Sequence, residues 1–359
     1  MREVAHFEIG YTRYVDPDGS HAEPLPAFAA EPGALEALYR AMLLTRTFDA
    51  RAISLQRTGR LGTFASSLGQ EAIGVGVAAA MRPEDVLLPS FRDQGAQFGR
   101  GVTPLELLLY WGGDERGSDF AGPREDFPIS ITVGGHAPQA AGVALAFKLR
   151  GEPRVAVCLF GDGATSKGDV YEAMNIAGAW NLPVVFVVSN NQWAISVPRL
   201  EQTHAETLAQ KAIAAGFPGE QVDGNDVVAV RAVVAGAIEA ARRGEGPRLI
   251  EALTYRLADH TTVDDASRYR AAEEVTAHWH EDPVARMRAL LVAEHGWDRE
   301  REEAAIHAAT ATVEAAVEAY LATPPQPAES MFDHLYAALP PELATQRAGL
   351  SERGAETGS

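Results

Sequence analysis

A Gly161-Asp162-Gly163 triplet, 26 intervening residues and an Asn190-Asn191 pair constrain this chain more than any other feature. An apolar run leads into each end of the pattern. Val155-Ala156-Val157-Cys158-Leu159-Phe160 precedes the triplet, and Val184-Val185-Phe186-Val187-Val188 precedes Ser189 and the double asparagine. Both runs are short, rich in β-branched residues and closed by turn formers, which is the pattern of parallel strands buried on both faces. Between them Val170, Met174, Ile176 and Ala177 recur at helical spacing, and Leu182-Pro183 ends the helical stretch. The spacing predicts one βαβ unit with oxygen-bearing side chains at the carboxyl ends of both strands, where open parallel sheets bind ligands.

Those oxygens suit a magnesium-held diphosphate. Mg²⁺ takes hard oxygen ligands in near-octahedral geometry and shares its sites with phosphates. Asp162 offers a carboxylate, Asn191 a side-chain carbonyl and Trp193 a main-chain carbonyl. Gly161 and Gly163 allow close approach of backbone to phosphate, and the N–H groups of Gly163 and Ala164 are expected to open a helix toward it. A glycine-aspartate-glycine turn alone, or an asparagine pair alone, is a common loop. The spacing and both strands together make the pattern specific.

The surrounding text resembles the alpha subunit of the first, decarboxylating component of 2-oxo acid dehydrogenase complexes. GDGATSKGDVYEAMNIAGAWNLPVVFVVSNNQWAIS (161–196), RTFDARAISLQRTGRLGTFASSLGQEA (46–72), FRDQG (91–95) and TYRLADHTTVDDASRYR (254–270) carry the resemblance. It runs from Pro24 to Pro283 with the motifs in family order. It implies an α/β thiamine-diphosphate-binding fold: a doubly wound, mostly parallel sheet flanked by helices, with a helical C-terminal region. It also implies thiamine diphosphate and Mg²⁺ as cofactors, a small 2-oxo acid as substrate, and a lipoyl-bearing second component as acyl acceptor. A separate beta subunit would complete an α2β2 heterotetramer.

Site residues follow from the same resemblance. Asp162, Asn191 and the carbonyl of Trp193 align with the metal ligands, and Gly161, Gly163 and Ala164 with the diphosphate-binding turn. Arg92 aligns with a phosphate-binding arginine, a role suited to the guanidinium fork. Phe91 stands where relatives carry a tyrosine, which removes one hydroxyl contact, and Ser189 stands where many carry an acid, Arg or Gln. Ile131 and Val133, with Gly135, align with the segment that touches the cofactor rings, and His136 with a polar neighbour of it. His260 aligns with the histidine placed over the reacting centre, and Asp264, Asp265, Arg268 and Arg270 with a charged network ordering its loop. In this family the glutamate that activates the aminopyrimidine belongs to the beta chain. No glutamate here takes that role, and Glu71 is expected at a subunit interface. The chain therefore reads as half of an active site.

Composition narrows the alternatives. A net charge of −18 argues against general nucleic-acid binding, and no apolar run has membrane-spanning length. The polar, acidic start does not resemble a signal peptide, and one cysteine, Cys158, in a core strand fits a reducing cytoplasm. In an acidic chain, the individual Arg and His residues of an anion site carry more information.

The chain divides into an N-terminal arm (1–33), a cofactor-binding α/β domain (34–270), a helical C-terminal region of that domain (271–344) and a flexible tail (345–359). Helices are expected over 34–58, 70–81, 137–149 and 273–321, and further strands over 85–89 and 249–255. The arm is expected to pack on a neighbour or stay mobile.

The functional reading is the alpha subunit of pyruvate dehydrogenase, which decarboxylates pyruvate and acetylates the lipoyl group. Residues 55–64 and 209–224 resemble bacterial pyruvate enzymes. Residues 190–196 and 261–270 lean toward branched-chain 2-oxo acid enzymes, the alternative substrate class. A degenerate scaffold is disfavoured because Asp162, Asn191, Arg92 and His260 occur together. A free-standing thiamine decarboxylase is disfavoured because the chain is too short to hold both cofactor-binding halves.

Overall fold

Alternation along the two motif strands sets the architecture. Ala156, Cys158 and Phe160 of one strand and Val184, Phe186 and Val188 of the next face one side of the sheet, against Ala140, Ala144, Val170 and Met174. Val157, Leu159, Val185 and Val187 face the other side, against Ile73, Val77, Val230, Val234 and Ile238. A strand apolar on both faces must lie between two helical layers, and each large apolar side chain buried there contributes about 1.5–3 kcal/mol.

The computed structural model describes residues 2, 4–22, 24–31 and 33–357. Among these the strands are β1 (Tyr11–Thr12), β2 (Val86–Leu88), β3 (Ala156–Gly161), β4 (Val184–Asn190), β5 (Trp193–Ala194), β6 (Val197–Pro198), β7 (Gly219–Asp223) and β8 (Arg248–Leu253). The longer helices are α1 (Ala34–Arg57), α2 (Glu71–Ala80), α3 (Gln94–Gly99), α4 (Pro104–Trp111), α5 (Ala137–Arg150) and α6 (Gly168–Ala179). Two short helices, α7 (Arg199–Gln202) and α8 (Lys211–Ala214), precede α9 (Val227–Arg242), α10 (Ala272–His278), α11 (Pro283–Glu294), α12 (Arg299–Ala322) and α13 (Pro341–Thr357).

The main sheet has the order β1-β7-β8-β4-β3-β2, with every neighbouring pair parallel. Gly161 pairs with Ser189, so the two motif strands end flush and present Asp162 and Asn191 at the same edge. This is the α/β arrangement implied by the sequence. Within α6, Val170, Ala173, Met174 and Ala177 are buried, whereas Ile176, assigned to the same stripe, is partly exposed.

The arm differs from its expectation. Tyr11 and Thr12 extend the sheet beside Gln221 and Val222. Asp226, the N-cap of α9, accepts from Val228 N and Ala229 N with one oxygen and from Tyr14 N and Val15 N with the other, at 2.8–3.1 Å. Residues 11–15 thus belong to the body of their own chain, while residues 1, 3, 23 and 32 of the expected arm lie outside the described residues.

The single helical stretch expected over 273–321 is three helices and a 3₁₀ turn. Asp282 caps α11 through Ala285 N and Pro283 fills its first position, a start signal inside the periodic pattern. The chain forms two compact units, residues 1–317, which hold the sheet, and residues 318–359, divided within α12. In the second unit Phe332 is buried and Arg347 pairs with Asp333 at 2.8 Å. Residues 345–357, expected as a flexible tail, lie in α13, where Ala, Leu, Gln, Arg and Glu favour a helix despite their polarity. Residues 358 and 359 lie outside the described residues.

Candidate active site

At the carboxyl edge of β3 and β4 the chain encloses a cavity of about 190 Å³. Its walls include Gln70, Phe91, Arg92, Val133, His136, Gly161, Asp162, Gly163, Ala164, Ser189, Asn191, Trp193, Ile195 and His260. Residues from six separated stretches of sequence therefore converge on one space. Ile131 does not line it and is about half exposed beside Val133.

The two halves of the motif occupy one wall. β3 ends at Gly161, a 3₁₀ turn runs Asp162–Ser166, and α6 opens only at Gly168. The triplet thus leads into a tight turn before the helix begins, not into the helix itself. Asp162 is almost fully buried, and its Oδ2 accepts from Gln202 Nε2 at 2.6 Å. Burial pushes its carboxyl above the ordinary range. A Cβ on Gly163 would stand 2.7 Å from Ala194 Cβ, so only glycine lets the turn approach the β5–β6 hairpin.

The two asparagines take different jobs. Asn191 lines the cavity, donating from Nδ2 to Gln70 Oε1 at 3.0 Å, and its Oδ1 accepts from Trp193 N at 3.3 Å. Asn190 donates to the buried Glu251 at 2.7 Å and does not line the cavity. The Trp193 carbonyl accepts from Arg256 Nη1 at a long 3.3 Å, which leaves its second lone pair available. Ile195 adopts φ 56° in the hairpin, strained for a β-branched residue by about 1–3 kcal/mol. Its carbonyl is held by Arg256 Nη2 at 2.8 Å.

Two guanidiniums and an imidazole cluster at the same site, Arg92 and His260 lining the cavity and Arg256 behind them. Arg92 donates from Nη1 to Ser66 O at 2.6 Å, and from Nη2 to His260 Nδ1 at 2.9 Å and to the His260 carbonyl. Arg256, fully buried, approaches the same Nδ1 at 3.4 Å and donates to Tyr269 OH at 3.0 Å. Guanidinium has no acceptor, so Nδ1 must be the bare nitrogen and the ring proton sits on Nε2. Burial first, then Arg92 and Arg256, lower the His260 pKa to about 4. At neutral pH the ring is a neutral Nε2–H donor. Burial and Arg256 pull Arg92 down to about 9, which leaves it cationic.

The loop network has specific anchors. Asp264 accepts from His260 N at 2.9 Å and from Tyr269 OH, and Arg270 donates to the carbonyls of Arg256 and Ala258. Asp265 caps the turn at Ser267, while Arg268 is exposed. Glu71 is buried inside the chain, pairing with Arg46 and accepting from Gly69 N at 3.0 Å. His136 donates from Nε2 to Leu159 O at 2.7 Å in the cavity wall.

Sequence reasoning missed Gln70, Gln202 and Arg256 as site residues. The Tyr255-Arg256 pair lies in the 254–270 stretch that carries the resemblance, with no role attached to it there. A charged residue inside an otherwise apolar strand-to-loop transition was the available signal, because such a group must find buried acceptors. Gln70 lies far from the motif in sequence, Gln202 follows it by eleven residues, and neither gives a local cue.

Among the described residues no three His, Cys, Asp or Glu side chains gather as a metal cage. The metal-ligand candidates are one carboxylate, one amide and one main-chain carbonyl. A Mg²⁺ there would need oxygens from a bound phosphate group, as is usual for this ion.

Residues 39–329 match the family described as dehydrogenase E1 component. A 3-methyl-2-oxobutanoate dehydrogenase subunit alpha from Mycobacterium tuberculosis is 41% identical over 320 residues, covering 89% of this chain and 87% of the relative. A pyruvate dehydrogenase E1 component subunit alpha from Staphylococcus aureus is 42% identical over 311 residues, covering 86% and 84%.

Proposed function

This chain belongs to the dehydrogenase E1 component family as an alpha subunit of a 2-oxo acid dehydrogenase, and we propose that it decarboxylates pyruvate with thiamine diphosphate and Mg²⁺ and passes the acetyl unit to a lipoyl group. The observation that carries the reading is the convergence of Asp162, Asn191, Arg92 and His260 on one cavity. The donor set fits the cofactor. Asp162 and Asn191 offer hard oxygens, the Gly161–Gly163 turn leaves room for a phosphate, and Arg92 supplies a cation suited to a phosphate oxygen.

When bound, the thiazolium ring supplies the nucleophilic carbon and the electron sink for decarboxylation. The protein's part is placement and polarity. Asp162, Asn191 and the Trp193 carbonyl would hold the metal, while Arg92 neutralises diphosphate charge and fixes the His260 ring. His260 then presents Nε2–H as a neutral donor to charge developing on the substrate oxygen.

A partner subunit belongs to this reading. Among the described residues, the carboxylates lining the cavity are Asp93 and Asp162. Asp93 accepts from Ser90 N at 2.7 Å, and Asp162 is assigned to the metal. The carboxylate that activates the aminopyrimidine must then come from a beta subunit. Val133 and Ile195, apolar wall residues 44% and 55% exposed, suit such a partner.

Pyruvate is the preferred substrate because residues 55–64 and 209–224 carry the pyruvate-enzyme resemblance. The branched-chain reading rests on residues 190–196 and 261–270 and on the mycobacterial relative's name. Co-expression with a candidate beta subunit, followed by CO₂ release from pyruvate, 2-oxobutyrate and 2-oxoisovalerate, tests both. Highest kcat/KM on pyruvate supports the proposal, and preference for 2-oxoisovalerate replaces it with the alternative.

A further inference from the structure

Lys211 is a buried cation that the site description does not use. It lies on the short α8, is only 6% exposed, and among the described residues forms no ion pair. Its Nζ donates to Thr165 O and to Thr165 Oγ1, both at 2.9 Å, and stands 5.3 Å from the Tyr171 ring centre. All of its polar partners are thus on the turn that carries Asp162. Thr165 Oγ1 in turn donates to the Asp162 carbonyl at 2.7 Å. Lysine, hydroxyl and carbonyl form one chain behind the turn, and the residue before Thr165, Ala164, lines the cavity.

The same short segment reaches the other half of the motif. Ala209 N donates to Glu251 Oε2 at 2.9 Å, and Glu251 Oε1 accepts from Asn190 Nδ2 at 2.7 Å. Residues 209–211 therefore tie to the strand end of β4 through Glu251 and to the turn after β3 through Lys211. Fixing both halves to one segment holds constant the separation between Asp162 and Asn191.

Resting on the cofactor reading above, we infer that Lys211 is a positioning residue for the Asp162–Ser166 turn, setting through Thr165 the geometry with which the turn receives a metal-bound diphosphate. Two physical arguments favour this over simple core satisfaction. A buried lysine whose hydrogen bonds go to neutral oxygens is costly even with Glu251 near enough to favour its charge, and apolar side chains could have filled the space. Its charge also lies behind a turn proposed to receive an anion, in a chain whose net charge is −18, where a fixed local cation offsets the repulsive background.

The test uses the full chain in its assembly with the beta subunit, titrated calorimetrically with thiamine diphosphate at fixed Mg²⁺. Lys211→Met should raise the cofactor Kd by roughly tenfold or more, through loss of a charge-assisted hydrogen bond. Turnover at saturating cofactor should fall far less than affinity does. Thr165→Val, nearly isosteric, should move Kd in the same direction by a smaller factor, and Lys211→Arg should recover much of the loss. A role confined to packing would lower the melting temperature of the cofactor-free protein and leave Kd at the native value, and that result overturns the inference. Asp162→Ala separates the two levels. If it abolishes magnesium-dependent binding while Lys211→Met binds as native, the site reading stands and the Lys211 inference fails. If Asp162→Ala also binds as native, both fail.

Discussion

Arg92 grips His260 twice, donating to its Nδ1 at 2.9 Å and to its main-chain carbonyl from the same nitrogen. The pair fixes the tautomer, because a guanidinium only donates. It also couples the residue proposed to hold phosphate to the residue proposed to face the reacting carbon. A charge change at one is therefore felt at the other.

Arg92→Gln should raise the His260 pKa from about 4 toward the ordinary 6.5 without reaching it, since burial is the larger cause and Arg256 remains. The sign for stability follows. A histidine depressed in the folded state binds fewer protons than in the unfolded chain between about pH 4 and 6.5. Native stability from this group is therefore present above pH 6.5 and lost as pH falls toward 4. The variant should confine that loss to a narrower window. Imidazole Cε1–H chemical shifts followed against pH measure the shift directly, and an unchanged midpoint refutes the coupling.

His260→Ala should leave the fold and the cofactor affinity close to native, because Arg92 keeps its bonds to Ser66 O and to the main chain at position 260. Turnover should drop by roughly 10²–10³-fold, the usual cost of removing a donor aimed at developing charge. Steady-state CO₂ release beside a binding titration reads the two quantities apart. Native turnover in the variant would return His260 to an ordinary loop residue.

Much of this site is legible in the sequence because two strands of period two end in register. Once Val155–Phe160 and Val184–Val188 are strands, Asp162 and Asn191 must share an edge, and Asn190 must point away from Asn191. The same logic does not reach Gln70, Gln202 or Arg256, whose contacts depend on where loops separated by many residues come to rest. The arm's pairing is illegible for a related reason. Nothing local in Tyr11-Thr12 says that its partner is Gln221-Val222, because pairing across 200-odd residues is set by the edge left open beside β7. In the C-terminal tail, polarity hides the helix propensity that the residues of α13 share.

Asp49 gives the site a pH signature of opposite sign. It is buried, its pKa is pushed up to about 6 mainly by burial, and its carboxyl accepts from Ser66 Oγ at 2.6 Å and Ser67 N at 2.7 Å. Ser66 O is the acceptor for Arg92. A carboxyl raised in the folded state binds more protons than the unfolded chain, so this group costs stability as pH rises from about 4 to 6, and the cost is flat above that. Asp49→Asn keeps one acceptor and removes the charge. The difference in melting temperature between native and variant should therefore grow in the variant's favour from pH 4.5 to 6.5. A difference independent of pH would show that Asp49 does not titrate in that range.

Asp162 supplies the sharpest test of the metal assignment, because the metal should invert the effect of its charge. With Mg²⁺ bound, the carboxylate is a ligand and attracts the diphosphate through the ion. Without it, the same buried anion faces the diphosphate across the cavity and repels it. Its Oδ2 is held by Gln202 Nε2 at 2.6 Å, a bond that an asparagine side-chain oxygen can still accept. Asp162→Asn should therefore fold normally and lose the magnesium-dependent gain in thiamine diphosphate affinity. In chelator-treated buffer, where the native protein carries the repulsion, the variant should bind at least as well as native. Calorimetry with and without Mg²⁺ gives all four affinities. A variant that keeps the native magnesium enhancement would remove Asp162 from the metal, and weaker binding than native in chelator would remove the electrostatic argument.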